Sequence, residues 1–136
     1  MNELFEKILV PLDGSHSCLR AREIAAAIAR KFRSKITIIH VISYDFMHPE
    51  LKAHHQLPEL VLQELDKTYQ KAGSKIIRAG EEFFREEDVE VESFLVRAED
   101  PAEKILQKAK ESKYDLLVMG NISDTQTERF SLGSVA

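Results

Sequence analysis

Two short apolar runs limit what this chain can fold into more than any other feature. Lys7-Ile8-Leu9-Val10-Pro11-Leu12 and Ile36-Thr37-Ile38-Ile39-His40-Val41-Ile42 are continuous, and the second is mostly β-branched. Runs of that length without polar alternation suit strands covered on both faces, as in a parallel sheet. Asp13-Gly14-Ser15 stops the first run, and a helix is predicted to follow, capped by Ser15 or Ser17. Its apolar positions Cys18, Ala21, Ala25, Ile28 and Phe32 recur at helical spacing. Alanines 21, 25, 26, 27 and 29 would let it lie close to a sheet.

The rest of the chain repeats the alternation. Residues 43–58 form a polar, aromatic, proline-containing connection. A long helix is predicted from about residue 59 to 87, with Leu62, Leu65, Tyr69, Ala72, Ile76, Ala79 and Phe83 as its buried stripe. Gly73 and Gly80 should each cost that helix about 1 kcal/mol relative to alanine. Residues 89–96 open with Val-Glu-Val-Glu, the half-exposed pattern of an edge strand. Asp100-Pro101-Ala102-Glu103 carries a cap, a proline at the first helical position and an early acid. The helix it starts should bury Ala102, Ile105, Leu106 and Ala109. Residues 114–119 make the fourth strand.

Strands alternating with helices imply a doubly wound parallel α/β sheet with right-handed crossovers. Such sheets bind ligands beyond the carboxyl ends of their strands, where strand order reverses. The loops after Leu12, Ile42, Val96 and Met119 are therefore the candidates. The 136 residues amount to one domain, 1–136. A net charge of −4 gives no footprint for nucleic acid or an anionic membrane, and no apolar run approaches the roughly 20 residues of a membrane span. One cysteine, Cys18, excludes an internal disulfide, and with no visible signal peptide the expected location is the cytoplasm.

Four segments in order, KILVPLDGS at residues 7–15, RAEDPAEKIL at 97–106, YDLLVMG at 114–120 and LGSVA at 132–136, resemble the universal stress protein family. The resemblance covers nearly the whole chain. It implies an open parallel sheet ordered 3-2-1-4-5, with the switch point between strands 1 and 4, so that Asp13 and Gly120 flank one crevice. It also implies a further helix and a fifth strand after the Gly-Ser-Val-Ala segment, both absent from these 136 residues. We expect either a longer natural polypeptide or a partner that covers the apolar edge at Leu116-Leu117-Val118.

Many members of that family bind ATP through a glycine, two residues, a second glycine, nine residues and Gly-Ser/Thr. Here Gly120 matches the first glycine and Gly133-Ser134 the end, with the spacing intact, while Ser123 replaces the middle glycine. By the same resemblance Asp13 would bind the nucleoside, Val41 would meet adenine through its backbone, Pro11 and Met119 would line the crevice, and Val135 would complete the closing segment. Asp124 adds a carboxylate where ATP-binding relatives often carry a basic residue. The implied ligand is ATP or another adenine nucleotide, with Mg2+ only if ATP is bound, and the implied assembly is a homodimer.

Each residue also has a simpler reading. Asp13 before Gly14 can make an Asx-turn or cap a helix. Gly120 and Gly133 can serve tight turns, and Ser134 can be an N-cap. His48, His54 and His55 fit a solvated loop better than a metal site, because adjacent histidines rarely converge on one ion. His40 reads as a satisfied core residue and Cys18 as packing. The leading reading is a regulatory nucleotide-binding module without efficient catalysis. The alternatives are a nucleotide-free dimeric module of the same family, favoured by Ser123 and Asp124, and an adenylating PP-loop enzyme, faintly echoed by Asp13-Gly14-Ser15-His16-Ser17.

Overall fold

The computed structural model describes residues 4–43 and 58–120. Four strands and three helices alternate along them: β1 (Lys7–Pro11), α1 (His16–Phe32), β2 (Lys35–Ile42), α2 (Glu59–Glu86), β3 (Val91–Arg97), α3 (Pro101–Glu111) and β4 (Leu116–Leu117). All strand pairs are parallel and the sheet order is β3-β2-β1-β4. The strand order expected from the sequence therefore holds over the four strands present, with β3 at an edge. No helix among the described residues is long and apolar enough to cross a membrane.

Side chains alternate across the sheet and divide the core in two. Ile8, Val10, Ile36 and Ile38 face α1 and α2, where Ala25, Ala26, Ala29, Ile77 and Phe84 meet them. Leu9 and Ile39 face the other way, towards Ile105 of α3. β1 and most of β2 are buried on both faces, so their sequences carry no polar alternation.

Three expectations need correction. The first concerns α2, whose buried positions are Gly73, Ile77, Gly80 and Phe84, whereas Tyr69, Ala72 and Ala79 are exposed. The stripe is rotated by about one residue, and the two glycines lie at its centre. A Cβ on Gly73 would stand 2.9 Å from both His40 Cδ2 and Leu95 Cδ1, and one on Gly80 would stand 2.6 Å from Leu12 Cδ1. The glycines let the helix backbone settle onto the side chains of the sheet.

The second concerns α3, which buries Ile105 but leaves Leu106 half exposed. The third concerns β4, which is shorter than residues 114–119. The carbonyls of Lys7 and Leu9 accept from Asp115 and Val118 at 2.9 and 3.0 Å. Pro11 is the next residue of β1 on that side, and it has no N–H to offer. The ladder ends there, and the two strands separate.

Candidate functional site

The carboxyl end of β1 is held from three directions. Leu12 N–H donates to the Ile39 carbonyl at 2.9 Å, and the Leu12 carbonyl accepts from His40 Nδ1 at 2.7 Å. A carbonyl can only accept, so the proton lies on Nδ1. The Leu12 side chain is buried beneath α2 beside Gly80. His40 thus has the partner expected of a satisfied core residue, and it fixes the strand end from which Asp13 projects.

Asp13 makes the Asx-turn that its sequence context allows. Its Oδ1 accepts from the Ser15 N–H at 2.9 Å, across Gly14, whose φ of +84° is the left-handed conformation that favours glycine. Oδ1 also accepts from the Cys18 thiol at 2.9 Å, while Asp13 N–H donates to the same sulfur at 3.3 Å. Surrounding protein strips water from the carboxyl and works to raise its pKa. Hydrogen bonds from Cys18 and Ser15, with a smaller contribution from His40, outweigh that and hold it below the ordinary carboxylate value. Burial and the Asp13 carboxylate both push the Cys18 thiol upward, so it stays protonated and is a poor nucleophile. Cys18 is therefore more than packing: it orients Asp13. In the sequence it was readable only as one of several small residues on the buried face of α1.

Ser15 occupies the N-cap of α1, but its side chain makes no capping bond. Its hydroxyl lies 3.1 Å from that of Ser17 instead. The expected cap position therefore holds at Ser15, without a capping bond from its side chain.

Gly120 follows β4, on the other side of the reversal in strand order. A Cβ there would lie 2.5 Å from Ser17 Oγ and 3.1 Å from the backbone nitrogen of Cys18. No side chain fits, so the end of β4 rests directly on the first turn of α1. Gly120 and Asp13 are thereby tied to the same helix start, Gly120 by contact with Ser17 and Cys18, Asp13 by hydrogen bonds to Ser15 and Cys18. Pro11 is buried at the end of β1. Val41 and Met119 are partly buried and pack with the cluster of Leu9, Ile39 and Ile105 on the α3 face. Five of the sequence-derived site residues, Pro11, Asp13, Val41, Met119 and Gly120, therefore gather at the carboxyl ends of β1, β2 and β4. Ser123, Gly133, Ser134 and Val135 lie outside the described residues, as do His48, His54 and His55. Among the described residues no cluster of His, Cys, Asp and Glu could hold a metal ion.

A parallel doubly wound sheet whose order reverses between β1 and β4 defines the class of α/β domains that take ligands at the switch point. Within that class, the chain belongs to the Universal stress protein family, whose model matches residues 4–136. It is 30% identical to Universal stress protein YxiE of Bacillus subtilis over 98% of this chain and 90% of that protein. It is 32% identical to Universal stress protein MJ0531 of Methanocaldococcus jannaschii over 98% of this chain and 74% of that one.

Solved structures agree on the fold. Universal stress protein UspA from Lactobacillus plantarum superposes with a TM-score of 0.78 at 24% identity, covering 98% of this chain and 89% of that one. A universal stress protein in complex with cAMP gives 0.69 at 25% identity, covering 98% and 88%. A family protein from Arabidopsis thaliana with AMP bound gives 0.66 at 22% identity, covering 96% and 80%.

Proposed function

We propose that this chain binds an adenine nucleotide in the crevice between β1 and β4 and acts as a regulatory module rather than as a catalyst. The observation that carries the reading is the seat of Gly120 on Ser17 and Cys18, which leaves no room for a side chain and ties the end of β4 to the helix start that holds Asp13. A glycine so placed lets the chain after β4 pack against the first turn of α1, which brings both sides of the switch point together at one helix start. Asp13 suits the nucleoside end. Its carboxylate is held ionised, Oδ1 is taken by Ser15 and Cys18, and Oδ2, which no described residue engages, would face hydroxyl or amino donors of a ligand. The relative solved with cAMP supports an adenine nucleotide as the ligand class. Pro11, Val41 and Met119 would flank the base, and Ser123, Gly133, Ser134 and Val135 would meet the phosphates, with Mg2+ accompanying ATP if ATP is the form bound. The protonated state of Cys18 and the engagement of His40 with a backbone carbonyl fit a binding role better than a hydrolytic one.

A second reading, a dimeric module that holds no nucleotide, is favoured by Ser123 and Asp124, which put a hydroxymethyl group and a carboxylate where the ATP-binding pattern has glycine and often a base. The two are separated by native mass spectrometry of the freshly purified protein and by calorimetric titration with ATP and AMP. Retained or saturable adenine nucleotide, with tighter binding in Ser123→Gly and Asp124→Arg, supports the first reading. Absence of both retention and titratable heat, in the parent protein and in both variants, supports the second.

A further inference from the structure

On the α1/α2 face, away from Val41 and Met119, lies a cavity of about 260 Å3. Leu12, Leu19, Ile76 and Ala79 supply much of its apolar wall, and among the described residues Arg22 and Lys75 are the charged ones that line it. Neither cation forms an ion pair with any described residue. The Arg22 guanidinium lies 4.6 Å over the Phe83 ring, and its buried Nε has no hydrogen-bond partner among the described residues. Stacking occupies the face of a guanidinium, whereas its donors lie in its plane, so Phe83 fixes the group without satisfying it.

We propose that this cavity is a second binding site, for a small monocarboxylate with an aryl or short branched alkyl body. The body would lie against Leu12, Leu19 and Ile76, and the carboxylate would accept from Arg22, with Lys75 adding charge at the rim. The arrangement of apolar walls with one or two placed polar groups is that of small-molecule sites in general. Size restricts the ligand. The cavity exceeds the roughly 150 Å3 that accommodates benzene and falls just below the roughly 300 Å3 at which drug-sized pockets begin. Charge restricts it further, since a planar carboxylate matches the guanidinium fork and a single negative charge is the cheapest to desolvate among apolar walls. The site shares Gly14, Ser15 and Cys18 with the crevice side of α1, and the proposal does not rest on that crevice being filled.

The test is a titration of 15N-labelled protein with 3-phenylpropionate, followed by amide shifts, with the uncharged 3-phenylpropionamide as control. Saturable shifts are expected at Gly14, Ile76 and Ala79, with Val41 unmoved. Binding should weaken about tenfold or more with the amide and in Arg22→Gln, the loss of one charge-assisted pair. Ala79→Leu, at an exposed helix position that lines the cavity, should block binding while leaving the fold intact, and it decides the matter should Arg22→Gln fail to fold. No saturable shifts at millimolar probe, shifts centred on Val41 and Gly120, or equal affinity for acid and amide would each overturn the proposal.

Discussion

Gly80→Ala sets helix propensity against packing, with opposite signs. In an exposed helix the change would stabilise the protein by about 1 kcal/mol. Here the new methyl carbon would lie 2.6 Å from Leu12 Cδ1 and 3.0 Å from Ile38 Cδ1. Ordinary carbon–carbon contact is roughly 3.5–4.0 Å, so Leu12 would have to retreat by about 1 Å. Leu12 lines the cavity between α1 and α2 and can give part of that distance, but Ile38 is fully buried and the Leu12 backbone is held by Ile39 and His40. Overpacking of this kind costs about 1–3 kcal/mol. Subtracting the propensity gain leaves a net loss of up to about 2 kcal/mol. Urea unfolding measures it, with Ala79→Gly at the neighbouring exposed position as the control for propensity, expected to lose about 1 kcal/mol. If Gly80→Ala gained about 1 kcal/mol, the close seating of α2 on the sheet would be refuted.

Two further outcomes follow from the crevice. Gly120→Ala should weaken or abolish AMP and ATP binding, because its methyl group would collide with Ser17 and the Cys18 backbone; calorimetry on the folded variant with unchanged affinity would count against the role given to Gly120. Asp13 has a lowered folded-state pKa, so its contribution to stability is present above the unfolded value near 3.8 and is lost as pH falls through the folded value below it. Asp13→Asn should remove that acid limb, and Cys18→Ala should shrink it by taking away one donor; denaturation midpoints between pH 2 and 6 that run parallel for all three proteins would contradict the Asp13–Cys18 bond.

The fold was legible where side chains announce burial. The β-branched run of β2 and the apolar run of β1 have no polar alternation because both faces are covered, and the alanines of α1 mark where it meets the sheet. The phase of α2 was not legible, because glycine carries no hydrophobic signal. Gly73 and Gly80 looked like flaws in the helix although they are its points of closest contact. Leu106 looked like core because it is apolar and adjacent to Ile105, yet one residue along a helix turns a side chain by about 100°. The short β4 followed from a partner rather than from its own sequence, since Pro11 on β1 withholds the next rung. Asp13 and Gly120 could be placed from their positions at strand ends. The thiol that orients Asp13 and the serine that receives Gly120 could not, because their contacts arise only when α1 folds back over the sheet.

The clamp on Leu12 also bears on how the molecule could report that its crevice is filled. Backbone bonds on both sides of the residue and a side chain buried beneath α2 place this end of β1 among the parts expected to open last, with amide exchange at Leu12 expected to track global unfolding. Such a wall has one arrangement, and a two-state device cannot be built from it. Any message about occupancy would have to leave by a route other than this end of β1. Exchange rates compared with and without ligand should stay constant at Leu12.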